Sequence, residues 1–230
     1  MPSGEPFILL DDARSEGAVD AHLFEHPIEV FVARRPEEVA RVLTEAEATR
    51  RMTGGTLAGY IAYEAGLALE PRLMPLAAAR SGADGPLVWL GLFDHATAIP
   101  AADVPRWLAD RAGEGPESPP ASIGPLEPQI STGAYLEAFS TLQEAIRAGD
   151  IYQANLTFRL AGAARGDPVA IYRAIRPAAN AGYGGLVFDG DHWLLSFSPE
   201  LFFSLKDGKA KVKPMKGTRP RGRTEAEDRE

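Results

Sequence analysis

Two side chains in the C-terminal third are of types that make and break covalent bonds: Glu200, in "SFSPELFF", and Lys216, in "VKPMKGTRPRG". Lys216 stands beyond a strand-like alternation, after Pro214 ends ladder pairing and before Gly217-Thr218 turns the chain, so it is placed to point into a cleft. An amine attacks only when neutral, and the nearby cations Lys213, Arg219 and Arg221, with desolvation, favour the neutral form. Glu200 follows Pro199 at the start of a hydrophobic strand, where it is either a partly buried acid or a partner for a lysine. A hairpin between the two residues returns the chain to its starting end. Acid and nucleophile in one pocket suit displacement of a poor leaving group such as a hydroxyl. A snorkelling surface lysine and a structural Glu–Lys pair are the competing readings.

Residues 206–223 hold eight basic residues against one acid, Asp207. Lys209, Lys211 and Lys213 alternate with Ala210 and Val212, the pattern of a solvated edge strand that discourages edge pairing. Without interleaved aromatics this is not read as a nucleic-acid contact. His22 and His26 have helical spacing, but Pro27 follows at once and no third ligand is evident, so exposed loop imidazoles are expected and no metal ligand is assigned. There is no phosphate-binding glycine loop and no G-x-S-x-G elbow.

Strands and helices must carry these groups. "IEVFVA" reads as a strand, and "RPEEVARVLTEAEATRRM" as a helix opened by Pro36 with Val39, Val42, Leu43 and Ala46 on one face. "GGTLAGYIAYEAG" and "GPLVWLGLFDHATAI" read as buried strands whose glycines allow close backbone approach. Residues 112–128 contain five prolines and mark a surface connection, which divides the chain into a 1–120 α/β segment and a 129–230 segment. In the second segment, Ser131 or Thr132 caps a helix whose stripe is Tyr135, Leu136, Phe139, Leu142 and Ile146, and Gly149 stops it. "IYQANLTFRLAG" reads as a strand with Gln153, Asn155 and Thr157 on one side. A helix around "DPVAIYRAIRP", a strand "YGGLVFDG", and a hairpin turning through Lys206-Asp207-Gly208 complete the reading. The result is an α+β fold with mixed, largely antiparallel sheets.

Composition sets outer bounds. The 230 residues are 45% hydrophobic and carry a net charge of −8, so the surface as a whole repels phosphate backbones and anionic membranes. The absence of cysteine excludes disulfides and a thiolate nucleophile and is consistent with a reducing cytoplasm. The first residues resemble no signal peptide, and no stretch has the length of a membrane span.

"GDIYQANLTFRL", "SFSPELFF" and "PMKGTRPRG", in this order and spacing, resemble the chorismate-utilising enzymes, which include anthranilate, aminodeoxychorismate, isochorismate and salicylate synthases. "LFEHPIEVFVARRPEEV" and "GYIAYEAG" are more loosely similar to the N-terminal part of the aminodeoxychorismate-forming branch. Members that add water to chorismate carry a lysine base where this chain has Gln153, an amide that cannot serve as a base, so that chemistry is disfavoured. Anthranilate-forming members usually have a small residue in place of Lys216.

The resemblance therefore implies amination of chorismate to 4-amino-4-deoxychorismate through a covalent Lys216 adduct, with Glu200 as acid. It also implies that Gln153, Gly217 and Thr218 contact the substrate, and that ammonia comes from a glutamine amidotransferase partner. The family pattern continues past the Lys-Gly-Thr motif with glutamates that hold Mg2+. Those ligands are expected beyond residue 230, which leaves the family fold incomplete at the C-terminus and the 230 residues alone poorly active or inactive, with a non-catalytic chorismate- or tryptophan-binding fragment as the alternative reading.

Overall fold

The computed structural model describes residues 4–80, 85–112, 120–213 and 224. In chain order the first elements are β1 (Phe7–Asp11), β2 (Ala21–Glu25), β3 (Glu29–Ala33), α1 (Val39–Thr53), β4 (Thr56–Ile61), α2 (Ala65–Leu69), α3 (Met74–Arg80), β5 (Val88–Phe93), β6 (Thr97–Ile99) and α4 (Val104–Arg111). They are followed by β7 (Ser122–Ile123), β8 (Glu127–Pro128), α5 (Thr132–Ala148), β9 (Leu160–Ala161), β10 (Ala164–Arg165) and α6 (Pro168–Ala179). The last are β11 (Tyr183–Phe188), β12 (Trp193–Ser198), β13 (Leu201–Lys206) and β14 (Lys209–Lys213). The fold is α+β, and every strand pairing among the described residues is antiparallel. The chain forms two compact units, residues 1–108 with 172–230, and residues 109–171.

The larger unit is built on two sheets. One has the order β12-β11-β1-β2-β6, so its strands come from both sides of the proline-rich stretch, with Phe7 opposite Phe188 and Leu9 opposite Leu186. The other has the order β3-β5-β4. Ile8, Phe24 and Val187 of the first sheet pack with Trp89 and Phe93 of the second. On its opposite face the second sheet receives α1, where Val39, Val42 and Ala46 meet Phe31, Ala33, Val88 and Leu92. Covered on both faces, the central strand β5 is an almost unbroken buried run, "VWLGLF", and does not alternate. Each fully buried Leu or Phe there contributes roughly 2 kcal/mol. The edge strand β4 is only half-buried, although its apolar sequence predicts full burial, because an edge lacks a neighbour on one side. Gly59 fits where a Cβ would lie 2.1 Å from the Trp89 carbonyl oxygen.

The smaller unit contains α5 and two short strand pairs, β7 with β10 and β8 with β9. The pieces of the proline-rich stretch that are described thus engage in pairing. Helix α5 has the predicted ends: the Ser131 hydroxyl accepts the Ala134 N–H, and Gly149 takes a left-handed φ of 82°. Its stripe is present but no residue of the helix is buried; Leu136 is 58% and Phe139 46% exposed. Residues 151–159, expected as a strand, form none, and only Leu160–Ala161 pairs, with β8. Alternation supplies two faces, whereas a strand also needs a ladder partner for its N–H and C=O groups.

Candidate functional site

The corner "SPE" links the five-stranded sheet to the β13–β14 hairpin. Ser198 is the last residue of β12 and sits opposite Tyr183; Pro199 and Glu200 follow, and β13 begins at Leu201. The hairpin turns through Asp207 and Gly208 with φ of 51° and 72°, the left-handed pair that a two-residue antiparallel turn requires. Pairing runs Lys206 to Lys209, Leu205 to Ala210 and Ser204 to Lys211, then shifts irregularly before Leu201 meets Lys213. The chain therefore comes back beside Glu200, as the sequence implies. Lys216, Gly217 and Thr218 lie outside the described residues.

Glu200 is exposed, where the sequence allowed a partly buried acid. With Ser198, Leu201, Phe202 and Val212 it lines an open recess of about 480 Å3. The hairpin around it has open faces, with Phe202 86% and Phe203 60% exposed. Lys209 and Lys211 are also exposed, in keeping with a solvated strand. Gln153 is exposed in the irregular 151–159 segment of the smaller unit. In that unit, Ala154, Asn155, Leu156 and Thr157 fold against Tyr135, Phe139 and neighbours of the α5 stripe around a recess of about 450 Å3.

Sequence reasoning missed two buried polar clusters in the larger unit. At the end of β1, Asp11 receives Arg176 Nε at 2.6 Å, Arg176 Nη2 at 2.9 Å and the Tyr172 hydroxyl at 3.1 Å. Burial, reinforced by Asp11, pushes the Tyr172 phenol above its ordinary range. Beside it, Asp12 accepts from Arg14 and from the Val19 N–H, and the Arg14 side chain holds its carboxyl down to about 2 against the cost of burial. The only signal for this pair in the sequence is an acidic doublet closing the apolar run "FILLDD". The second cluster ties the two sheets together: Tyr60 of β4 donates to Asp189 at 2.6 Å, and Asp189 also accepts the Asp191 and His192 N–H groups. Burial opposes ionisation of Asp189, but these hydrogen bonds prevail and lower its pKa.

His22 lies on β2, a strand and not the expected loop, while His26 is exposed beside Glu5. Among the described residues no group of three or more His, Cys, Asp or Glu is arranged to hold a metal ion, so these residues do not fit Mg2+. No described helix is long and apolar enough to cross a membrane.

Relatives of this chain are found by sequence. Over 114 residues the chain is 37% identical to the aminodeoxychorismate synthase of Streptomyces griseus, covering 49% of this chain and 16% of that one. It is 39% identical over 104 residues to anthranilate synthase component 1 of Thermus thermophilus, covering 45% and 22%. A longer match, 28% identical over 219 residues, is to anthranilate synthase component 1 of Methanothermobacter marburgensis, covering 87% of this chain and 44% of that one. The matched region is thus less than half the length of each of these relatives. The family described as chorismate binding enzyme matches residues 5–230, nearly the whole chain, and to that family this protein belongs.

Proposed function

We propose that this chain is the part of an aminodeoxychorismate-forming enzyme that carries the acid and the nucleophile. The observation that supports this best is the hairpin register, in which Leu201 sits opposite Lys213, so that Glu200 precedes and Lys216 follows one end of the same ladder. In the reaction, the neutral Lys216 amine forms a C–N bond to the chorismate ring. The ring C–O bond breaks, and the hydroxyl leaves as water with a proton from Glu200. Ammonia then displaces the lysine, giving 4-amino-4-deoxychorismate and the free enzyme. Gly217 and Thr218 would offer N–H and hydroxyl donors to a substrate carboxylate, and Gln153 would contact substrate without acting as a base. Ammonia would be delivered by a glutamine amidotransferase partner.

Anthranilate formation is the second reading, because relatives bearing that name match at similar identity. Lys216 separates the two. Incubation of the full-length protein that contains these residues with chorismate, ammonium and Mg2+, followed by mass spectrometry of product and peptides, should give 4-amino-4-deoxychorismate and a Lys216 peptide heavier by chorismate less water. Anthranilate with no adduct, and unchanged turnover in Lys216→Ala, would establish the second reading instead.

A further inference from the structure

We propose that Ser198 is a positioning residue that sets the direction of Glu200; this rests on the reading of Glu200 as the acid. A single hydroxyl holds both backbone groups of Glu200: Ser198 Oγ accepts the Glu200 N–H at 3.1 Å and donates to the Glu200 carbonyl at 3.0 Å. Fixing the N–H and C=O of one residue fixes the direction of its Cα–Cβ bond. Between them Pro199 has a locked φ, so the corner has little other freedom.

Ser198 is in turn anchored. It is half-buried at the end of β12, an edge strand of the five-stranded sheet, and is paired with Tyr183 at the start of β11. Its neighbour Phe197 stacks on Tyr172 at 4.8 Å, and the Tyr172 hydroxyl is held by the buried Asp11. The rigid core therefore reaches the edge of the recess through Phe197 and Ser198. Ser198 and Glu200 line the same recess, so a change in the corner acts directly on the acid's approach to a substrate.

The test compares wild type, Ser198→Ala, Ser198→Thr, Glu200→Gln and, as a control on the same strand, Ser196→Ala. The first readout is hydrogen exchange of the Glu200 amide by NMR, which needs no turnover. Exchange should speed up several-fold, toward about tenfold, in Ser198→Ala and stay at the wild-type rate in Ser198→Thr and Ser196→Ala. The second is chorismate consumption with ammonium and Mg2+, measured in the full-length protein that contains these residues. Ser198→Ala should lower kcat roughly tenfold to a hundredfold with little change in KM, and Ser198→Thr should restore it. Ser198→Cys, whose thiol bonds weakly, provides the same contrast should the alanine variant fail to fold.

Wild-type exchange in Ser198→Ala overturns the proposal whatever the turnover. So does wild-type kcat in Ser198→Ala when Glu200→Gln is inactive. Full activity of Glu200→Gln overturns instead the reading of Glu200 as the acid, and the exchange rates still show whether Ser198 holds the corner.

Discussion

Helices α1 and α5 carry equally clear amphipathic patterns and end alike, on left-handed glycines Gly54 and Gly149 with φ of 75° and 82°. Their fates differ. The α1 stripe of Val39, Val42 and Ala46 is fully inside, against β3 and β5, whereas no α5 residue is buried, although residues 154–158 fold against its stripe. Helix ends are decided by local chemistry, a cap or a left-handed glycine. A buried face depends on a neighbour that lies far away in sequence, and periodicity states the need for one without supplying it.

The largest test of that contrast is one substitution made in both stripes. Val42→Asp places a carboxylate among Phe31, Ala33 and Leu92 with no cation in that cluster, and should cost about 3 kcal/mol or more. Phe139→Asp, at a site already half in water, should cost about 1 kcal/mol or less. Urea unfolding measured by tryptophan fluorescence suits the first, since Trp89, Trp107 and Trp193 all belong to the larger unit. Amide exchange along α5 suits the second. Equal costs would break the comparison and show that the α5 stripe is covered in solution.

What could be read from the sequence follows the same division. The ends of α5, the Lys206-Asp207-Gly208 turn, β11 and the α1 stripe rest on neighbours within a few residues or on strict periodicity, and each stands where expected. The 151–159 strand, the half-burial of β4 and the exposure of Glu200 depend on what lies alongside, which alternation does not encode. Asp11 was invisible for a related reason: its partners Tyr172 and Arg176 are on a helix more than 160 positions later. The motif carrying Glu200 was legible as chemistry, and its hairpin as geometry. Its surroundings were not, because they are long-range contacts.

A smaller effect sharpens the comparison through charge, which the larger unit buries and α5 does not. The Asp12 carboxyl, held at about 2 by Arg14, has an ordinary value of 3.8, so its contribution is fully present above about pH 4 and is lost as the pH falls toward 2. That difference corresponds to about 2 kcal/mol at most. Asp189, also lowered, adds in the same direction. Tryptophan-detected stability should therefore fall between pH 4 and 2, and Asp12→Asn should flatten the fall. An identical pH slope in the variant would mean that Arg14 does not hold Asp12 in solution.

The smallest effect concerns the α5 cap. Ser131 accepts the Ala134 N–H, and Ser131→Ala should cost about 1 kcal/mol. In a helix with no buried face that loss is a large share of what keeps the first turn formed, so amides near Ala134 should exchange about fivefold faster. At the start of α1 no side chain caps the helix in this way; Glu38 accepts the Arg34 and Arg35 N–H groups of the preceding turn, and the buried stripe holds the helix. Tryptophan-detected unfolding should not respond to Ser131→Ala if the two units open separately. A fall of the same size in that signal would show that they unfold as one, and the difference between the helices would then be one of exposure without a difference in stability.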